Sequence, residues 1–393
     1  MKVITTNQEL TELCNKAHSK PYIALDTEFV SEKTYFPKLC LIQVALPESD
    51  EPGGSEFIID TLNPKLKLEN LIPIFQNHEI TKVLHSSKQD LEIFHHEFGL
   101  IPEPLFDTQI AAMLCGYGSQ ISYSNLVSEI CKVKLDKSQQ YSNWSTRPLA
   151  GKQLKYAISD VTHLRHIYLA INEKLLETGR LRWVEELFDE LKDICKNSYN
   201  PADAWKKIKM RDVSGKRWSI VHALAEFREI RAQSKNINRR WVLSDQALLE
   251  LASMCPSTID DLKRCRFFKS GKDAQKGFNL SLLEVISKAQ STPRQPPQTA
   301  ATNKPVNKNR EVTDLLKVYL KYSSEQSGVA EEIISTADEL REISQGNHNV
   351  RPLQGWRREL FGNNALKLCE GKIALTLENS KLTVIELEDL SGD

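Results

Sequence analysis

At 393 residues, with 40% apolar and 26% charged side chains, the chain has ordinary globular composition but is too long for one typical core, so two or three domains are expected. Its 52 Lys and Arg balance 52 Asp and Glu, which excludes a global charge suited to a polyanion and leaves only a local patch for any nucleic acid. Eight cysteines without a CxxC pair, several inside apolar runs such as Leu39-Cys40-Leu41, exclude a disulfide framework or a cysteine zinc site and read as reduced core residues.

In chain order, Met1-Lys2-Val3-Ile4-Thr5-Thr6-Asn7 lacks the apolar stretch of a signal peptide. No later run approaches the ~18 apolar residues of a membrane span, so a cytoplasmic protein with no membrane association is expected. Residues 22–26, 39–46 and 56–62 are short runs rich in Ile, Leu and Val, bounded by Pro, Gly, Ser or Asp, and read as three strands of an antiparallel meander. Residues 66–76 carry helical spacing, 82–85 form a fourth strand, and Leu91, Phe94 and Phe98 recur at helical intervals before Gly99, a helix stop. Further helices are expected at 107–114 and 153–176, closing an α/β domain near residue 190.

Beyond that point the periods are helical and repeat at an offset of 92 residues. Leu224, Phe227, Val242, Ser244, Leu248 and Leu251 match Leu316, Tyr319, Ile334, Thr336, Leu340 and Ile343 without a gap. Ser244 and Thr336 fall where a helix N-cap is wanted, and Thr336-Ala337-Asp338-Glu339 has the form of a capping box. Two small all-α modules are expected, at 212–290 and 311–393, joined by a flexible linker at 291–310 that is rich in Pro, Gln, Thr, Asn and Lys.

Three stretches carry chemistry. In Ile23-Ala24-Leu25-Asp26-Thr27-Glu28-Phe29 a buried strand ends in two carboxylates, and their separation of two points both to one face. Like charges so close raise each other's pKa unless cations compensate them, and oxygen ligands suit Mg²⁺ or Mn²⁺; alone, the pair also fits a solvated strand end. Asp90, after the strand Val83-Leu84-His85, opens a helix, where an acid is favoured by the helix dipole in any case. In Tyr156-Ala157-Ile158-Ser159-Asp160 a separation of four puts the phenol and the carboxylate on one helical face. Together, four acids are balanced by two divalent ions, a pair suited to phosphodiester displacement, with the Tyr156 hydroxyl free to orient the attacking water.

These residues resemble the three exonuclease motifs of the DEDD family in its tyrosine-containing subgroup, over about residues 1–190. Phe106-Asp107-Thr108-Gln109-Ile110-Ala111 and Ala204-Trp205-Lys206-Lys207-Ile208-Lys209 are further similar to the ribonuclease D family. Trp241-Val242-Leu243-Ser244-Asp245 and Gly355-Trp356-Arg357-Arg358-Glu359-Leu360-Phe361-Gly362 resemble the HRDC module that follows the nuclease in that family. The resemblance implies a ribonuclease H-like exonuclease domain, a mixed sheet flanked by helices, at 1–190, a basic connector at 191–211 and two HRDC-like domains. It implies two metals on Asp26, Glu28, Asp90 and Asp160, a water-positioning Tyr156, and 3′-to-5′ hydrolysis of RNA with an accessible 3′ end, in the maturation of transfer-RNA precursors. No obligate protein partner is implied. Cys265 to Gly277 departs from the family in replacing a tighter Pro/Gly turn late in the first module.

Other polar residues read more plainly. His85 fits a hydrogen-bonded histidine at a strand end, and Asp107 fits a cap of the helix beginning at Thr108. His95-His96, His163 and His166 have no zinc companions and suit solvated helix faces. Residues 196–240 hold twelve Lys and Arg against four Asp and Glu. Lys206, Lys207, Lys209, Arg211, Arg239 and Arg240 are the candidate RNA contacts, interleaved with Trp205, Trp218 and Trp241, each of which also suits a helix interface. A DNA 3′-to-5′ exonuclease and a non-catalytic RNA-binding protein are the alternative functions, and retention of all four acids and the tyrosine argues against the second.

Overall fold

The computed structural model describes residues 1–47, 54–136, 138–140, 142–210, 215–268, 276–292, 294 and 309–387. The chain forms two units, one of Met1–Glu28, Leu39–Cys195 and Asn307–Asp393, the other of Phe29–Lys38 and Lys196–Val306. No helix among the described residues is long and apolar enough to cross a membrane.

The first unit is built on a six-stranded mixed sheet in the order β1-β4-β3-β2-β5-β6. Its strands are β1 (Lys2–Ile4), β2 (Tyr22–Val30), β3 (Lys38–Ala45), β4 (Glu56–Asp60), β5 (Thr81–Leu84) and β6 (Leu105–Asp107). The expected meander appears as β2, β3 and β4 lying side by side, with β3 and β4 antiparallel. Parallel pairing of β2 with β5 sets Tyr22 opposite Thr81 and Ala24 opposite Val83, so the two strands that lead to the acids run together. Central β3 is buried on both faces, with Leu41 and Ile42 fully enclosed, as its apolar run, broken only by the buried Gln43, requires. Strands β1 and β6 escape a sequence reading because three residues are too few for a period of two to register.

Three expected elements need correction. Strand β2 does not end at Asp26 but runs to Val30. The expected helix at 66–76 is a 3-10 turn, Leu68–Leu71, followed by one helical turn, Ile72–Phe75; Pro73 lacks an N–H and fits only a first turn. The expected helix at 153–176 is two, Gly151–Thr162 and Leu164–Glu177. At the break the Thr162 hydroxyl donates to the Ile158 carbonyl and Arg165 Nε donates to Thr162 O, so side chains occupy carbonyls that would otherwise continue the ladder.

The 92-residue repeat is present in three dimensions. Helices Arg239–Val242 and Asp245–Met254 recur as Glu331–Ile334 and Ala337–Ser344. Ser244 accepts from Ala247 N at 3.2 Å, and Thr336 forms its capping box with Glu339. Leu224 with Leu316, Leu248 with Leu340, and Leu251 with Ile343 are buried in both copies. The second copy is not all-α: it ends in an antiparallel hairpin, β7 (Ile373–Glu378) and β8 (Lys381–Glu386), turned by Asn379 and Ser380 at positive φ. Most of the expected linker at 291–310 and of the departure at 265–277 lies outside the described residues.

Within the first unit the second copy packs on the elements around the sheet. Trp356 stacks on Trp183 with ring centroids 4.6 Å apart, and Arg357 reaches Glu190 at 3.3 Å. Arg180 donates to Leu114 O and Ser327 O, and Ala330 N donates to Met113 O at 2.9 Å.

Candidate active site

Strand β2 delivers Asp26 and Glu28 to one face, and the helix Gly151–Thr162 delivers Asp160 against them. One carboxylate oxygen from each lies within 4.8 Å of the others. Asp90, in the first turn of the helix Lys88–Phe98, is buried beside this trio and accepts a short hydrogen bond from the Thr27 hydroxyl. The trio therefore unites three of the four expected acids, while the fourth is held by the residue between Asp26 and Glu28. None of the four makes an ion pair with a described residue. Burial, then the charges of Asp90, Asp160 and Glu28, raise Asp26 well above the carboxylate range. Burial, then Asp160 and Asp90, push Glu28 to about 9. Burial carries Asp90 and Asp160 to about 7. All-oxygen ligands that repel one another without a resident cation are the donor set of a hard divalent metal.

Tyr156 sits one turn before Asp160, half-buried, its ring 6.1 Å from that of the buried Trp144. Two further residues were not legible in the sequence. Thr27 holds Asp90. Tyr123 donates its hydroxyl to Ser159 O at 2.9 Å, and its phenol is pushed up by burial and then by the charges of Asp160 and Asp26, which places it against the cluster. A tyrosine opening an amphipathic helix carries no signal of such a place.

The two cautious readings hold. His85 is half-buried, with Nδ1 2.9 Å from Thr108 Oγ1 and its ring 5.5 Å from that of Tyr123; desolvation lowers its pKa and favours the neutral ring. Asp107 caps the helix Thr108–Leu114 by accepting from Gln109 N and Ile110 N. It also accepts from Ser86 N, Ser87 N and Ser87 Oγ, and so ties down the turn, with Ser86 at φ +56°, from which the Asp90 helix starts.

In the second unit the basic candidates separate into engaged and free. Lys206 pairs with Asp203 at 2.6 Å, Lys207 donates to Ser198 O, and Arg239 pairs with the buried Glu229 at 3.0 Å. Lys209 and Arg240 are exposed, and Arg211 lies outside the described residues. Trp205 packs edge-on against the buried Trp218, as a helix interface requires, whereas Trp241 is 63% exposed.

Residues 1–176 match the family model of the 3'-5' exonuclease domain, and residues 219–278 match that of the HRDC domain. An acid cluster on this sheet thus lies in a 3′-to-5′ exonuclease. Two ribonuclease D proteins sharpen the class: that of Jannaschia sp. strain CCS1 is 42% identical, covering 98% of this chain and 99% of its own, and that of Acidiphilium cryptum is 37% identical, covering 98% and 97%. The crystal structure of Escherichia coli RNase D, described as an exoribonuclease involved in structured RNA processing, superposes with a TM-score of 0.78 at 27% identity, covering 94% of this chain and 98% of that one. The chain belongs to the ribonuclease D family of exoribonucleases.

Proposed function

We propose that the chain removes nucleotides from the 3′ end of structured RNA, transfer-RNA precursors included, using two divalent ions, Mg²⁺ or Mn²⁺, held by Asp26, Glu28, Asp90 and Asp160. The observation that carries this reading is the trio of carboxylates within 4.8 Å of one another, to which no cationic side chain among the described residues is paired. When bound, such a metal pair stabilises both the attacking and the leaving oxygen of a phosphodiester displacement.

The chain's own residues do the rest. The Tyr156 hydroxyl orients the attacking water, as in the tyrosine subgroup of the DEDD nucleases. Tyr123 fixes the Ser159 carbonyl next to Asp160. We assign the nuclease to 1–190, the basic connector to 191–211, HRDC-like modules to 212–290 and 311–393, and the linker to 291–310; the 92-residue repeat supports the second module. Lys206, Lys207, Lys209, Arg211, Arg239 and Arg240 are the proposed RNA contacts, among which Lys209 and Arg240 have the freest side chains of those described. The protein works in the cytoplasm without an obligate partner.

Tyr156→Phe tests the water assignment: kcat should fall by about 10²-fold or more with RNA affinity nearly unchanged, the scale of losing one positioned proton-handling group. An unchanged kcat would leave Tyr156 a packing residue. Transfer-RNA precursors with short 3′ extensions, incubated with Mg²⁺, should be trimmed to a defined end, and an untouched extension would remove that substrate from the proposal.

A further inference from the structure

We propose that Trp241 is a stacking platform for a base of single-stranded RNA, with Arg240 beside it in the chain; this deepens, and rests on, the exoribonuclease reading. Of the chain's six tryptophans, all described, only Trp241 is largely exposed. Leaving that ring in water sacrifices burial that a helical domain normally takes, and an exposed indole on a fixed turn calls for an occupant.

The turn is fixed. Asn238 Oδ1 accepts from Arg240 N at 3.0 Å, Trp241 N donates to Asn238 O at 2.9 Å, and Asn238 N donates to Lys33 O at 3.3 Å. Arg239 folds inward onto the buried Glu229 and over the ring of Tyr35, and Leu243 closes the core beneath. Arg240 and Trp241 are left on the outer side. Lys33, Lys235 and Arg240 are exposed and make no ion pair with a described residue, so their charge is available to phosphates.

The internal repeat supplies a control. At the 92-residue offset, Arg239-Arg240-Trp241 becomes Glu331-Glu332-Ile333. In that copy the same turn is covered: Ile333 is 6% exposed, Glu332 accepts from the Ser119 hydroxyl, and the neighbouring Ala330 N donates to Met113 O. One position in the fold is thus acidic and docked on protein in one copy, and basic, aromatic and open in the other. Charge complementarity favours a polyanion with flat, stackable groups, which is single-stranded RNA.

The test uses full-length protein with Trp241→Ala, Trp241→Phe and Arg240→Ala, binding a 5′-labelled oligoribonucleotide without loop structure, in chelator so that no hydrolysis intervenes. Trp241→Ala should raise Kd by roughly 5- to 150-fold, the range seen when a base-stacking aromatic is removed, while Trp241→Phe stays within a few-fold of wild type. Arg240→Ala should flatten the log–log salt slope by about 0.7. Melting temperatures should stay within a degree or two of wild type, since neither side chain fills a core. Unchanged RNA affinity in Trp241→Ala overturns the proposal, and it does so equally if the variant instead loses binding to an acidic protein surface. If the wild type binds the oligonucleotide through Trp241 but hydrolyses no RNA in Mg²⁺, the exoribonuclease reading fails and the platform stands.

Discussion

At Glu28 the ordinary carboxyl value of 4.5 rises to about 9, through burial and then the charges of Asp160 and Asp90, and at Asp160 3.8 rises to about 7 through burial. The folded, metal-free protein therefore holds protons that the unfolded chain has released. That contribution to stability is complete below about pH 4, and it is lost as the pH climbs through 7 towards 9. Metal binding must displace the same protons, so the rise in Tm produced by Mg²⁺ or Mn²⁺ should be small at pH 5.5 and large at pH 8.5; a pH-independent rise would mean that the ions bind elsewhere. Asp26→Asn should lower turnover at least about a thousand-fold while raising the metal-free Tm at pH 8.5, since a buried carboxyl that the unfolded chain would leave ionised is replaced by a neutral amide. Asp107→Asn should cost about 1–3 kcal/mol, because an amide cannot accept every bond that Ser86, Ser87, Gln109 and Ile110 donate, and kcat should fall with it through the Asp90 helix. A normal melt in urea would reduce Asp107 to a plain helix cap. The approach of Asp26, Glu28 and Asp160 was readable beforehand because metal chemistry restricts residue type and spacing. Thr27 and Tyr123 were not, since a buried hydroxyl near a site leaves no spacing of its own.

Elements were legible in proportion to their length and to the purity of their period. Strands β2, β3 and β4 declared themselves by apolar runs with punctuated ends, and the caps at Ser244 and Thr336 by local hydrogen-bonding chemistry. The three-residue strands β1 and β6 depend on partners distant in the chain, and the break at His163 on side chains that occupy helix carbonyls, so no local period reports them; the hairpin β7–β8 pairs neighbouring residues, and its alternation in Leu375-Thr376-Leu377-Glu378 was within reach of the sequence. One short motif makes a sharp prediction at this scale. A Cβ added at Gly362 would meet the Pro352 carbonyl oxygen well inside van der Waals contact and Leu353 Cα at 3.2 Å. Gly362→Ala should therefore destabilise by at least about 2 kcal/mol, read from the urea midpoint, because backbone offers no flexible end to yield. A neutral substitution would show that the stretch Gly355-Trp356-Arg357 to Gly362 packs less tightly than described.

At the scale of the whole molecule the two helical copies fall in different units. The second shares the first unit with the nuclease through Trp183 and Trp356, Glu190 and Arg357, and the carbonyls bound by Arg180. Trp356→Ala should lower stability by about 3–5 kcal/mol, and a chain ending near residue 290 should melt below the full-length protein with Trp183 newly exposed to quenchers. Equal melting temperatures would mean that the copy is a passenger on the nuclease. The charge balance of zero could not announce any of this, since docking and RNA binding are matters of where the charges sit. The most direct measurement follows single-stranded RNA labelled at its 5′ end, beside DNA of the same sequence, incubated in Mg²⁺ with wild-type protein and with Asp26→Asn. Wild type should produce a ladder that shortens one nucleotide at a time from the 3′ end of the RNA, with DNA cut far more slowly and the variant inert. Internal fragments, a preference for DNA, or a ladder from the variant as fast as from wild type would contradict a 3′-to-5′ exoribonuclease centred on Asp26, Glu28 and Asp160.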